Sequence, residues 1–508
     1  MKKIYLLLSI VAAFMFTSCD MDLAPVGSLD DENAIESPSD LLKARNGIYI
    51  NMRSFATGGY IYYTDIQMDQ FIGLTINGNQ NGILAGGSIL SNNSSIEGVW
   101  AGLYSNIADA NYLLGRAQAL LEKGGWTKDE LLDINRTIAE TKFARAWYYS
   151  YLLDHFTSNS PSDATKAASG VPIVTVFNPT GDVNAYPGRS TIAEVYQLID
   201  QDLDDAYAGL SAYEAEDATN LQPMAMYVNT NVVKALQARN ALLREDYPTA
   251  IQKANDLINS GVYTLASTTN YAQMWTNDNS EEIIFRPVST NTELGISSIG
   301  GAYIDANPKM AYYIPSYTTY SYYNTATDQR FKAFFKAAQL TANGDDYGCF
   351  VFNKYPGNPA LQQNANINLM NMGKPFRLSE TYLILAEASY AIGDEKTAND
   401  ALDTIRKNRI TRYNQTSSYT GVELRDEIRA ERTKELLGEG FRMSDLRRWG
   451  LGFERNGEYP INSATEEIFK TVDVNVRYNS GDHRYVWPIP TTEMENNPQL
   501  RGQQNPGY

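Results

Sequence analysis

Two stretches of this chain repeat one device. In residues 232–261, Ala238 and Ala250 stand twelve residues apart across a break at Asp246–Pro248, and in residues 379–409, Ala386 and Ala398 repeat that spacing across Gly393–Asp394. A small residue on each arm of a helical hairpin lets the two helices approach closely, so each stretch predicts a helix–turn–helix pair. The copies lie 148 residues apart, which rules out a simple solenoid and requires long insertions between helical pairs. Apolar residues at helical spacing (Leu103, Ile107, Ala110, Leu114, Ala117) predict another helix from about Trp100 to Leu121. Further helices are expected over Ile134–Phe156 and Ile192–Leu210, the last introduced by Ser190 and Thr191 as capping candidates with Glu194 behind them.

The spacing is that of tetratricopeptide repeats, though their usual Trp, Phe and Pro positions are not kept. Ahead of the helices, Lys2 and Lys3 precede an apolar run from Ile4 to Phe16, too short to span a bilayer, and small Thr17 and Ser18 lead to Cys19. This is similar to a bacterial lipoprotein signal, in which Cys19 is acylated; the alternative is an ordinary secretory signal with an incidental cysteine. Two acyl chains, at about 0.8 kcal/mol per buried methylene, anchor firmly where one binds reversibly. The expected organisation is a signal over 1–18, an acidic, Pro-containing leader over 19–40, and one body over 41–508 with insertions at about 54–99 and 262–378.

Formal net charge is −17 over 508 residues, and the signal carries two lysines and no acid, so the body is more acidic still. That argues against nucleic acid or anionic lipid as a partner. With Cys19 taken by lipid, Cys349 is left as a free, buried thiol. His155 and His483 are the only histidines, which removes HExxH zinc chemistry, and His155 closes an aromatic helical run where a structural role is expected. No GxSxG, P-loop or GxGxxG occurs, and 59 acids offer no way to choose a catalytic carboxylate pair. The chain reads as a non-enzyme, with no catalytic residue, metal ligand or cofactor to assign.

Tyrosine stands out, with 35 residues. From Ser54 to Gly115 there is no Lys or Arg; the stretch is rich in Gly and Asn and holds Tyr60, Tyr62 and Tyr63. A second segment, about 287–329, holds Tyr303, Tyr312, Tyr313, Tyr317, Tyr320, Tyr322 and Tyr323, and residues 303–323 carry tyrosine at roughly five times the chain's average density. Long irregular segments inside a compact body are uncommon and often functional. Tyrosine covers the apolar face of a sugar ring while its hydroxyl bonds, and it orders at low entropic cost. The expected site is an exposed platform of several of these ten tyrosines, with Asp69, Asn77 and Asn79 as partners for sugar hydroxyls. Trp100, Trp147, Trp275 and Phe285 are assigned to packing.

The C-terminal region carries the sharpest pattern, AERTKELLGEGFRMSDLRRWG over 430–450 and YVWPIPTTEMENNPQLRGQQNPGY over 485–508. Glu431, Arg432, Glu435, Glu439 and Arg442 predict an ion-pair lattice between two helices broken by Gly438 and Gly440, and the prolines predict an extended terminus against the body. With Cys19, Leu23 and Pro25, the Trp100–Tyr104–Ile107–Asn111 helix, Ala144-Arg145-Ala146, and Leu385-Ala386-Glu387-Ala388, this order of motifs resembles the SusD/RagB family of nutrient-binding outer-membrane lipoproteins. The resemblance implies a mainly α protein: tetratricopeptide-like helix pairs as scaffold, a loop-rich ligand-binding region and a few short strands. It implies a lipid-anchored position in the outer membrane facing the cell exterior, an oligosaccharide ligand, and a SusC-like TonB-dependent transporter as partner. A structural calcium occurs in some members and cannot be placed here. Three functions stay open: glycan capture, peptide capture as in the RagB branch, and a surface glycan hydrolase.

Overall fold

The computed structural model describes residues 34–74, 82–219, 221–293, 295–342, 344–363, 368–414, 418–455 and 476–508. Helices begin where the sequence supplies caps. Ser37 accepts from the Asp40 amide ahead of Pro38 in the first turn of α1 (Pro38–Phe55). Gly58, at φ 68°, turns the chain into α2 (Gly59–Gln67), which leads to strand β1 (Phe71–Gly73) and the one-turn α3 (Gly82–Ala85). The long pair α4 (Ser94–Lys123) and α5 (Lys128–Phe156) follows, then α6 (Ile192–Glu216). Thr127 and Thr191 close capping boxes with Glu130 and Glu194 at the starts of α5 and α6.

The first alanine-bearing hairpin is α7 (Thr230–Leu243) and α8 (Tyr247–Ile258). Next come α9 (Gln273–Thr276), β2 (Ile283–Phe285), β3 (Tyr313–Pro315), α10 (Tyr317–Ser321), α11 (Gln329–Phe334), β4 (Phe335–Ala342), β5 (Asp345–Phe352) and β6 (Phe376–Arg377). The second hairpin is α12 (Leu378–Ala391) and α13 (Glu395–Arg409), followed by α14 (Gly421–Glu435), α15 (Arg442–Arg448), β7 (Phe453–Arg455), β8 (Val476–Tyr478) and α16 (Thr491–Asn496). Strands pair antiparallel as β1–β3, β2–β6, β4–β5 and β7–β8. The protein is mainly α with small sheets, as expected.

The two hairpins pack on one another. Ala238, Ala250, Ala386 and Ala398 are completely buried in one cluster with Ala254, Ala388 and Ala401. Their missing side-chain volume is what lets the helix axes close up, so a larger residue must push them apart. Ala386→Leu is expected to cost about 1–3 kcal/mol by overpacking, read as a lower urea midpoint with unchanged slope.

The segments read as irregular are more ordered than their composition suggests. Residues 54–99 contain α2 and β1, so Tyr60, Tyr62 and Tyr63 ride on a helix, and residues 262–378 contain β4 and β5, eight residues each. Gly and Asn mark the breaks between these elements; the elements form because their apolar residues find distant partners, such as Ile72 and Ile314 in one cluster with Leu340 and Val351. Cys349 is a free buried thiol, and burial pushes it up to about 12. Trp100, Trp147, Trp275 and Phe285 lie in the core.

The C-terminal signature holds the two halves of the chain together. Glu435, fully buried, pairs with Arg330 (3.2 Å), Arg377 (3.0 Å) and Arg409 (2.9 Å). Glu282 joins Arg377 and Arg409 (both 2.8 Å), Glu431 joins Arg330 (2.6 Å) and Arg406 (2.8 Å), and Glu439 joins Arg377 (2.5 Å) and Lys354 (2.6 Å). Gly438 and Gly440 break the chain after α14 with φ of 74° and 84°. At Gly438 a Cβ would run into the Phe352 ring. Asn505 donates to the carbonyls of Phe156 and Trp487, which locks the extended terminus against α5.

Candidate ligand-binding site

The strand pair β1–β3 brings the two tyrosine-bearing segments together, with Phe71 opposite Pro315 and Gly73 opposite Tyr313. At its Phe71–Pro315 end the chain runs from α2 into β1 and from β3 into α10. Ser316 caps α10 by accepting from the Thr319 amide, and the Thr319 hydroxyl donates back to the Gln70 carbonyl (3.0 Å). Asp65, near the end of α2, accepts from the Gly440 amide (2.9 Å), which ties α2 to the turn after α14. Burial pushes the Asp65 carboxyl up to about 7.

Within this frame the tyrosines divide. Tyr317 and Tyr322 are 39% and 43% exposed. Tyr320 is half-buried between them, edge-on to Tyr317 at 5.3 Å and tilted against Phe350 at 5.5 Å. Tyr62 and Tyr63 are also half-buried, edge-to-face at 4.6 Å. Tyr312 is half-buried and donates to Asp305 (2.6 Å), and this hydroxyl with the Asn307 amide holds the Asp305 carboxyl below its usual range. These rings, called the rim below, are carried by α2, by α10 and by residues flanking α10 and β3, the elements that β1–β3 joins.

Three expected platform residues are core instead. Tyr303 is fully buried against Phe71 (4.8 Å) and Phe352 (4.7 Å), and Tyr313 is buried where β3 meets β1. Tyr323 is buried with its hydroxyl on the Lys434 carbonyl (2.8 Å). All three residues of β3 are buried while Tyr312, just ahead of it, is half-buried, and tight packing leaves no face for a ligand on the buried three tyrosines. Tyr60 is a border case: half-buried, its ring lies edge-on to Phe55 (5.0 Å) and Tyr151 (5.9 Å), and burial raises its phenol.

Asp69 is committed to Arg442, which donates to both carboxylate oxygens (2.8 and 2.6 Å). Burial works against the Arg442 charge, but Asp69 outweighs it and keeps the guanidinium firmly protonated. The pair lies beside Tyr322, whose phenol is raised first by partial burial. Asn77, Asn79 and Cys19 lie outside the described residues. Phe350, Asp305 and Arg442 belong to the rim and were not expected there. For Phe350 the alternation of Tyr347, Cys349 and Val351 along β5 was a usable signal, since those three are buried and Phe350 faces the other way.

The larger concavities are elsewhere. Clefts of about 550 and 600 Å³ run past Asn159 and Ser160, the first toward Tyr196 and Arg244 and the second toward Arg189, Arg447 and His483. Their aromatic residues, Tyr196 and Tyr485, are buried and present no ring face. His155 is buried, stacked on Tyr151, and burial lowers its pKa, so it is a neutral packing residue. No group of three or more His, Cys, Asp or Glu able to hold a metal occurs among the described residues.

The described residues thus form a helix-pair scaffold that carries exposed and half-buried tyrosines at α2 and α10. Residues 266–508 match the family model described as SusD family, and residues 29–228 match the model described as starch-binding associating with outer membrane. A SusD superfamily protein from Bacteroides thetaiotaomicron is 25% identical over 93% of this chain and 100% of its own, with a TM-score of 0.75. A structure from Bacteroides vulgatus described as a sugar binding protein is 27% identical over 94% of this chain and 99% of its own, with a TM-score of 0.72. A laminarin binding SusD-like protein, 21% identical over 93% of this chain and 100% of its own with a TM-score of 0.66, shares the fold. No curated relative matches. The chain belongs to the SusD/RagB family.

Proposed function

We propose that this protein captures oligosaccharide at the outer face of the outer membrane and hands it to a SusC-like TonB-dependent transporter, without chemically altering it. The observation that carries this is the exposure of Tyr317 on α10 and Tyr322 directly after it, together with half-buried Tyr320, Tyr62, Tyr63 and Tyr312. Ring faces of this kind cover the C–H face of a pyranose, while Asp305 and the phenols are placed to bond its hydroxyls. The family models and the sugar-binding relative support carbohydrate as the ligand class.

Affinity electrophoresis against neutral plant, host and microbial polysaccharides tests the ligand class. Retardation by at least one glycan, with no product released from its oligosaccharides, is expected. Retention of peptides with no glycan retained would support the RagB-like alternative, and product release would make the protein an enzyme.

In this proposal Cys19 is the acylated anchor, residues 19–40 are the tether and residues 41–508 form one body. Cys19→Ala is expected to move the protein from the membrane pellet to the soluble fraction of fractionated cells. Continued membrane retention of that variant would remove the lipid anchor from the account.

A further inference from the structure

Away from the tyrosine rim, α8, α12, α14 and the end of α15 enclose a surface pocket of about 120 Å³. Tyr247, Tyr390 and Trp449 form its aromatic wall, and Arg425 and Arg429 stand at it from α14. Most charges around it are matched. Glu387 pairs with Arg448 and accepts from the Trp449 indole (2.7 Å), Arg448 also bonds Asp445 (2.9 Å), Arg432 pairs with Asp445 (2.8 Å), and Arg425 pairs with its exposed neighbour Asp426 (2.8 Å). Arg429 is different. Its guanidinium lies over the Trp449 ring, 5.2 Å from the centroid, and among the described residues it has no carboxylate within ion-pair distance and no hydrogen-bond acceptor.

We propose that this pocket takes a single carboxylate side chain of an acidic peptide, held by the Arg429 guanidinium and flanked by Tyr247 and Tyr390. A half-buried arginine fixed on an indole face presents its outer N–H fork without further rotamer cost, which is the arrangement that grips a carboxylate bidentately. Burial, with Arg425 nearby, lowers the Arg429 pKa, so an anion at the guanidinium offsets the cost of burying its charge. The volume suits one short side chain rather than a sugar ring with its substituents. A chain of net charge −17 repels acidic peptides over most of its surface, so a local site stands out against a low background.

Titrating hexaglutamate at low ionic strength into the full-length protein tests this. Saturable binding is expected, weakening with salt, at least tenfold weaker in Arg429→Gln and partly kept in Arg429→Lys, while hexaglutamine does not bind. Equal thermal melts of the three proteins would show that the fold is retained. If hexaglutamate failed to bind, bound equally to Arg429→Gln, or bound more weakly than a glucuronate hexamer, the peptide site would be refuted. Peptide binding is read through Arg429 and glycan binding through Tyr317 and Tyr322, none of which lines both sites, so failure of one reading is distinguishable from failure of the other.

Discussion

Glu435→Gln is expected to destabilise the protein by about 3–5 kcal/mol, one of the largest effects any single substitution here can have. Glu435 is fully buried and touches three arginines, Arg330, Arg377 and Arg409. Neutralising it keeps the shape and leaves excess positive charge in a fully buried site. Glu282 and Asp328 still face these arginines, but Glu431 and Glu439 are shared with Arg406 and Lys354, so the lost charge is not made up. The same network sets the response to acid. Burial alone would raise the Glu435 carboxyl, but Arg409, Arg377 and Arg330 outweigh it and hold it well below the usual range; Glu431 and Glu439 are depressed in the same way. A carboxylate depressed in the folded state contributes stability that is fully present above its unfolded value, near 4.5, and is lost as pH falls through the folded value. Urea midpoints should therefore hold down to about pH 5 and fall steeply below it, and the Glu435→Gln protein should show a lower midpoint and a shallower acid slope. A loss under about 1 kcal/mol at neutral pH would mean that the network relaxes around a missing charge.

The double variant Tyr317→Ala, Tyr322→Ala is expected to weaken glycan binding by about thirty- to a hundred-and-fiftyfold without lowering the thermal midpoint. Each exposed ring is assigned about 1–1.5 kcal/mol of contact with a sugar face, and 1.4 kcal/mol is a tenfold change in Kd. The pair is chosen because both rings are exposed and neither phenol carries a hydrogen bond among the described residues that holds the fold. Tyr313 would be a poor member of such a set, since its buried ring would confound binding with stability. Titration calorimetry with an oligosaccharide retained in the gels reads the effect directly. Unchanged affinity in the double variant would take α10 out of the site.

Helix pairs were legible because their cause is local. The Ala238–Ala250 and Ala386–Ala398 spacing and the Thr191–Glu194 capping box each lie within one hairpin or one turn, and the structure forms them at those positions. The Glu431–Arg442 lattice was legible as a kind of interaction but not in its partners, because Arg330, Arg377 and Arg409 arrive from distant parts of the chain. The rim was legible only as a density of tyrosine. Which ring faces out is decided at long range: Tyr303 by Phe71 and Phe352, Tyr323 by the Lys434 carbonyl, Asp69 by Arg442. Nothing in the spacing of Tyr320, Tyr322 and Tyr323 separates the exposed phenol of Tyr322 from its buried neighbour. Gly- and Asn-rich composition also concealed α2, whose register is fixed by Asp65 on the Gly440 amide.

Hydroxyl-radical footprinting of the tyrosines, with and without a bound oligosaccharide, bears most directly on where the ligand sits. Protection of Tyr317 and Tyr322, with Tyr62, Tyr63 and Tyr312 following, is the predicted result. Full reactivity of α10 in the saturated complex, with protection appearing along the Arg189–His483 cleft instead, would contradict it.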